Sequence, residues 1–237
     1  EIMPSLVGSE MCIRDSYHGP LIENEVVLGY IKFVPWLTLV ISGMIFWGMT
    51  IGNRTDVYRT LFEVCIYYSA FAIVISFFDK FILKFKIFVY LLISLIFVVL
   101  TIDISCINLL LISQGGLSSE MMVVCVYIAI GLFLIFSFVY AWYYLPKNQG
   151  KIWAINQWET YEKLLRNKKL MKFLKPLPVV AFVLIVIAVL SGYENYIECV
   201  FGVLNGILDL FAFPALVVDA IYGAIYISGN PSYDELE

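Results

Sequence analysis

Four residues near the C-terminus could perform chemistry inside a membrane. Glu198, Gly202, Asn205 and Asp209 follow one another in an otherwise apolar stretch at spacings of four, three and four. This spacing places them along one face of a helix. An ionised carboxylate at the centre of a bilayer costs about 2.5–3.5 kcal/mol, so Asp209 must pair, take up a proton or face water. Either the face is a site for an ion, a proton or a polar substrate, or Asp209 joins two helices by hydrogen bonds.

Two glycines accompany this face. Gly202 and Gly206 form a G-x-x-x-G pair. Small residues at this spacing let two helices approach closely, so that polar side chains can bond across the contact. The pair predicts a helix-packing surface. It favours hydrogen bonding between helices as the role of Asp209, without excluding a site for an ion, a proton or a polar substrate.

The apolar run at about 87–112 also contains polar residues. Asp103 lies toward the middle of this run, and Asn108 lies nearer its predicted outer end. Lys32 is the only basic residue inside a predicted span. It could be the buried counter-ion of an acid, but its place near the start of the span favours a side chain that extends to the interface. Three further acids lie near predicted span ends and are expected to be solvated: Glu63, Asp79 and Asp219.

Common catalytic and cofactor motifs are absent from the sequence. There is no G-x-G-x-x-G, P-loop, G-x-S-x-G or H-E-x-x-H motif, and the chain has one histidine, His18. We predict no metal site, no cofactor and no nucleic-acid partner, and an enzyme is the least favoured class. Four cysteines form no C-x-x-C pair and are expected to be apolar fillers, although a disulfide would be permitted: Cys65, Cys106, Cys125 and Cys199.

The elements that must position these residues are membrane-spanning helices. Hydrophobic residues make up 62% of the chain and charged residues 14%, whereas soluble domains carry about a quarter charged residues. A span needs about 20 apolar residues. The sequence predicts an all-α, polytopic integral membrane protein with a single membrane domain at 17–237. Six spans are expected at about 26–51, 60–78, 87–112, 121–145, 177–191 and 199–227.

The last apolar run, at about 199–227, is compatible with more than one form. Pro214 interrupts it, and a proline removes one helical hydrogen bond. The run could form one kinked span, or a span followed by an interfacial piece. A re-entrant hairpin is the less favoured third form.

The segment 146–176 carries eight of the 15 Lys and Arg residues. Basic loops stay on the cytoplasmic side, so we expect both termini in the cytoplasm and the protein in a bacterial inner (plasma) membrane. A shared apolar face and i,i+4 acid–base pairs predict an amphipathic helix drawn to anionic headgroups. An ordinary cytoplasmic loop is the alternative. The residues expected at the membrane surface are Trp158, Lys163, Arg166, Lys168, Lys169 and Lys172.

Residues 5–16, which read SLVGSEMCIRDS, resemble a translated sequencing-library adapter. Such peptides occur at the ends of reading frames predicted from environmental assemblies. The resemblance covers this segment alone. It implies that these residues are not biological and that the true N-terminus is missing or altered. A disordered tail is the competing interpretation.

Two functions fit these patterns. In the first, the chain is a small transporter or channel-like protein in which Asp209, Asn205, Asp103 and Glu198 line a polar path. In the second, it is a non-catalytic scaffold or accessory subunit of an envelope complex, whose polar residues bond helices together and whose partners are other membrane subunits. The lipid bilayer is an expected partner in both.

Overall fold

The computed structural model describes residues 25–51, 56–116, 118–143, 172 and 194–229. Three predictions lie outside that part of the chain: the adapter-like segment 5–16, the fifth span at 177–191 and, apart from Lys172, the surface helix within 146–176. Lys172 itself is helical and exposed.

Every described element is a helix, and no strand occurs among the described residues. In chain order these are α1 (Glu25–Ile51), α2 (Asp56–Ser76), α3 (Asp79–Lys84), α4 (Lys86–Ser113), α5 (Ser119–Trp142) and α6 (Glu194–Gly229). All but α3 are long and apolar enough to cross a membrane. The predicted class is therefore confirmed: the chain is an all-α, multi-pass membrane protein.

A short helix occupies the polar connection that the sequence predicts between spans two and three. α2 ends at Ser76, two residues before the predicted end, and α3 begins at Asp79. Asp79 lies in the first turn of α3 and Lys84 in its last turn, where each charge suits the helix dipole. Ile82 is buried and α3 contacts α2, so burial of this apolar side chain stabilises the packing of α3.

The last apolar run is one continuous helix. α6 extends over 36 residues through Pro214, which is fully buried. At about 1.5 Å per residue it measures about 54 Å along its axis, well beyond a hydrocarbon core of roughly 30 Å. The alternatives with a separate interfacial piece or a hairpin are therefore not the observed form.

The chain divides into two compact units. The described part of the first unit comprises 25–51, 56–103, 137–143 and 215–229. That of the second comprises 104–116, 118–136, 172 and 194–214. α4, α5 and α6 each contribute residues to both units. In the first unit, α1 packs against α2.

The core of the first unit contains a close approach between α4 and α6. Tyr90 on α4 is completely buried. A Cβ atom on Gly223 of α6 would lie only 2.5 Å from Cε1 of the Tyr90 ring. The two helices therefore meet at a separation that only glycine permits at this position.

The second unit has a close helix contact of its own. A Cβ atom on Gly202 of α6 would lie 2.8 Å from the carbonyl oxygen of Asn108 on α4. Gly206 leaves more room, since its Cβ would lie 3.8 Å from Nδ2 of Asn108. Within the predicted G-x-x-x-G pair, it is Gly202 that makes the close backbone approach.

Candidate functional site

The first unit holds a completely buried carboxyl group on α4. Asp103 is 0% exposed, and the Ser42 hydroxyl on α1 donates to both of its oxygens, at 2.7 Å to Oδ1 and 2.9 Å to Oδ2. Both acceptor atoms thus share one donor. Asp103 lies 17 residues after the start of α4, about 25 Å along the helix axis, which places it deep in the span.

A pair of buried hydroxyl groups lies one helical turn from this contact. Thr38 is four residues before Ser42 on α1, and its Oγ1 lies 2.9 Å from Oγ of Ser69 on α2. Thr38 also donates to the carbonyl of Pro35 at 3.0 Å. A hydroxyl has one hydrogen to donate and can accept two, so Ser69 is the donor whenever Thr38 bonds to Pro35. The pair can therefore reverse its donor and acceptor roles.

No basic side chain forms an ion pair with Asp103 among the described residues. Lys32, on the same helix as Ser42, forms its salt bridge with Asp79 instead, at 2.9 Å. Both partners are about half exposed or more, and such surface pairs contribute about 0–1 kcal/mol. Lys32 therefore lies at the surface of the first unit and pairs with an exposed acid.

The prediction that Asp219 is solvated was wrong. Asp219 is 0% exposed within the first unit, where α6 packs closely on Tyr90 of α4 one turn later, at Gly223. Glu63 on α2 is exposed, as expected, and receives a long hydrogen bond of 3.4 Å from the Tyr67 hydroxyl.

The second unit brings three predicted residues together in a closed ring of hydrogen bonds. Asn108 on α4 donates to Oδ2 of Asp209 at 2.6 Å. Asn205 on α6 donates to Oδ1 of Asn108 at 2.8 Å and to Oδ2 of Asp209 at 3.0 Å. Every member of this ring bonds to both others, and the ring joins α4 to α6 beside the close approach of Gly202.

The ring differs from the Asp103 contact in its exposure and its partners. Asn108 is buried, Asp209 is partly buried and Asn205 is exposed. Amide N–H groups supply the donors at Asp209, whereas a hydroxyl does so at Asp103. Glu198, the first residue of the predicted polar face, is exposed and takes no part in the ring.

Three buried hydroxyl groups of the first unit were not identified from the sequence. They are Ser42, which bonds to Asp103, and the hydrogen-bonded pair of Thr38 and Ser69. The four-residue spacing of Thr38 and Ser42 was an available signal, since it places both hydroxyls on one face of α1. Their pairing with α2 and α4 depends on which helices pack together.

The cysteines and acids show no metal-binding arrangement in the described residues. Cys65, Cys106, Cys125 and Cys199 are free thiols. Within the part of the chain that the structure covers, no group of three or more His, Cys, Asp or Glu side chains could hold a metal ion.

An apolar groove of about 370 Å³ lies in the first unit, between the Phe138–Trp142 end of α5 and residues 218–225 of α6. Its walls are aliphatic and aromatic side chains. It contains none of the polar residues described above.

The described helices make the chain an integral membrane protein, with a polar cluster around Asp103 in the first unit and another around Asp209 in the second. Comparison of the chain with models of protein families, with curated proteins and with solved structures finds no match.

Proposed function

We propose that the protein moves a small cation across the membrane and that the Asp103 carboxyl group binds this cation. The observation that carries the proposal is the setting of Asp103, which is fully buried and hydrogen-bonded to a neutral hydroxyl. An ionised carboxylate in hydrocarbon is costly without a positive partner. The group is therefore stable when a proton or another cation neutralises it, and reversible neutralisation is the elementary step of ion transport.

A purely structural role does not require an acid at this position. Asn or Ser can join helices in a membrane through neutral donors and acceptors. Asp adds a charge that must be compensated each time it forms. Ionisable residues inside spans commonly mark ion pathways and proton relays for this reason.

Flux through liposomes tests the proposal. Purified protein is expected to pass H⁺, Na⁺ or K⁺ down a gradient faster than protein-free liposomes do. Asp103→Asn keeps the shape of the side chain but removes the ionisable group, so we expect flux to fall about tenfold or more. The matched control is Glu63→Gln, which removes an exposed acid on α2 and should leave flux unchanged.

Two results would count against transport by Asp103. One is wild-type flux no greater than that of empty liposomes. The other is normal flux through folded Asp103→Asn protein, as judged by size-exclusion chromatography and circular dichroism.

A second candidate function is a scaffold or accessory subunit of a membrane complex. The hydrogen-bonded ring of Asn108, Asn205 and Asp209 favours it, because closed polar contacts of this kind hold helices together. In this case Asp209 and the glycines serve folding only, and purified protein passes no ions. Co-purification of a stoichiometric membrane subunit, together with absence of flux, would favour this function over transport.

We also infer that the protein lies in an inner (plasma) membrane with segment 146–176 and both termini on the cytoplasmic side. Support comes from the eight basic residues of that segment, which would contact anionic headgroups. In a cysteine-free background, Gly150→Cys and Ser232→Cys should react with an impermeant thiol reagent in inverted vesicles. Reaction only in right-side-out vesicles would reverse the orientation.

A further inference from the structure

We propose that the ion bound at Asp103 is a proton, and that the Thr38–Ser69 hydroxyl pair relays it to Asp103 through Ser42. The inference rests on the proposed function and adds the identity of the ion and its route. All four side chains lie in the first unit, and all four are buried.

The ligand geometry at Asp103 fits a proton better than a metal cation. A metal cation that leaves water needs many oxygen ligands, about six to eight for Mg²⁺ or Ca²⁺. Asp103 offers two oxygens, and both already accept the hydrogen bond of Ser42. No second carboxylate bonds to this contact in the described helices. A proton needs one oxygen and no coordination shell.

The spacing of the hydroxyl groups provides a route along α1. Lys32, Thr38 and Ser42 follow each other on this helix, and Thr38 and Ser42 lie on one face with their Cβ atoms about 5–6 Å apart. One intervening water molecule can bridge such a separation. The proposed route thus follows this face of α1 from the Thr38–Ser69 pair to the deeply placed Asp103.

The relay conserves atoms and charge. Each hydroxyl accepts a hydrogen on one side and releases its own hydrogen on the other, so it remains a hydroxyl with reversed orientation. The proton that arrives forms an O–H bond with the Asp103 carboxylate, which becomes a neutral carboxylic acid. Release breaks the same O–H bond and restores the carboxylate.

The first unit holds other ionisable groups besides Asp103. On α2, the buried thiol of Cys65 lies four residues before Ser69. On α1, Lys32 is held by Asp79 of α3. α6 contributes the buried Asp219 to the same unit. Cys65→Ser keeps a small polar side chain and is expected to retain proton flux, since the relay does not pass through the thiol.

The test measures proton and metal-ion flux side by side. Liposomes containing the protein and a trapped pH-sensitive dye receive a pH gradient, with the membrane potential clamped by K⁺ and valinomycin. A parallel sample measures uptake of radiolabelled Na⁺ and K⁺. We expect proton flux that Asp103→Asn abolishes, and no Asp103-dependent uptake of Na⁺ or K⁺.

Variants of Thr38 test whether its hydroxyl group takes part in the proton relay. Thr38→Val replaces the hydroxyl by a methyl group and so removes the donor and acceptor at this position, and proton flux should fall about tenfold. Thr38→Ser keeps the hydroxyl and should conduct nearly as the wild type does. If Thr38→Val does not elute as a folded species, Ser69→Ala removes the same hydrogen bond from the other helix.

The outcomes are distinct. Asp103-dependent uptake of Na⁺ or K⁺ without proton flux would show that the ion is not a proton. The proposed function would still hold. Normal proton flux through folded Thr38→Val, or through folded Ser69→Ala where that variant replaces it, would overturn the relay. Absence of any ion flux would overturn the proposed function and this inference with it.

Discussion

Gly223→Ala is expected to lower the free energy of unfolding by about 1–3 kcal/mol, the usual cost of forcing extra volume into a packed core. The added Cβ would lie 2.5, 2.7 and 2.9 Å from three atoms of the Tyr90 ring. Tyr90 is 0% exposed, so its ring has no open side into which it can retreat. Unfolding in mixed micelles with increasing denaturing detergent, followed by circular dichroism, measures the loss.

Gly43→Ala on α1 provides the matched control, because a Cβ there meets no atom within 4 Å. A second control uses the partner residue. Tyr90→Leu should by itself destabilise the protein, but it should reduce the additional cost of Gly223→Ala in the double variant. Equal stability of Gly223→Ala and the wild type would contradict the close approach of α4 and α6.

Asp209→Leu is expected to destabilise the protein by about 1–3 kcal/mol, whereas Asp209→Asn should be much milder. Leu leaves the Nδ2 donor of Asn108 without its acceptor, and Asn108 is only 3% exposed. Asn retains a carbonyl oxygen that can accept the hydrogen bonds of Asn108 and Asn205. Thermal unfolding in detergent, followed by size-exclusion chromatography, compares the two variants.

Glu198→Leu is the control for Asp209→Leu, since it removes an exposed acid from the same helix outside the ring. If Asp209→Asn and Asp209→Leu are equally destabilised, the carboxylate charge matters more than the hydrogen bonds. If neither variant differs from the wild type, the ring does not stabilise the contact between α4 and α6.

The helices could be predicted from the sequence because a long apolar run that crosses a membrane satisfies its backbone hydrogen bonds internally, as a helix does. The predicted first span, 26–51, and the observed α1, Glu25–Ile51, differ by one residue. The third span at 87–112 likewise corresponds to α4, Lys86–Ser113. α3 was missed because its six residues, three apolar ones between charged ends, show too short a pattern to separate a helix from a loop.

The polar clusters were only partly predictable. Asn205 and Asp209 share a helix face by spacing alone, so their proximity followed from the sequence. Their contact with Asn108 needed the packing of α6 on α4, which no spacing reveals. Asp219 was misplaced because its burial depends on how the C-terminal part of α6 packs within the first unit, which the spacing of residues does not reveal.

Unequal helix lengths give the protein a dependence on bilayer thickness. The apolar parts of α1 and α2 contain 22 and 19 residues, about 33 and 28 Å, and match a core of roughly 30 Å. Those of α4 and α6 contain 28 and 31 residues, about 42 and 46 Å, and must tilt, bend or emerge. A thinner membrane would increase the hydrophobic mismatch of α4 and α6 first. These two helices carry Asp103 and Asp209, so acyl-chain length would act on both polar clusters without a ligand.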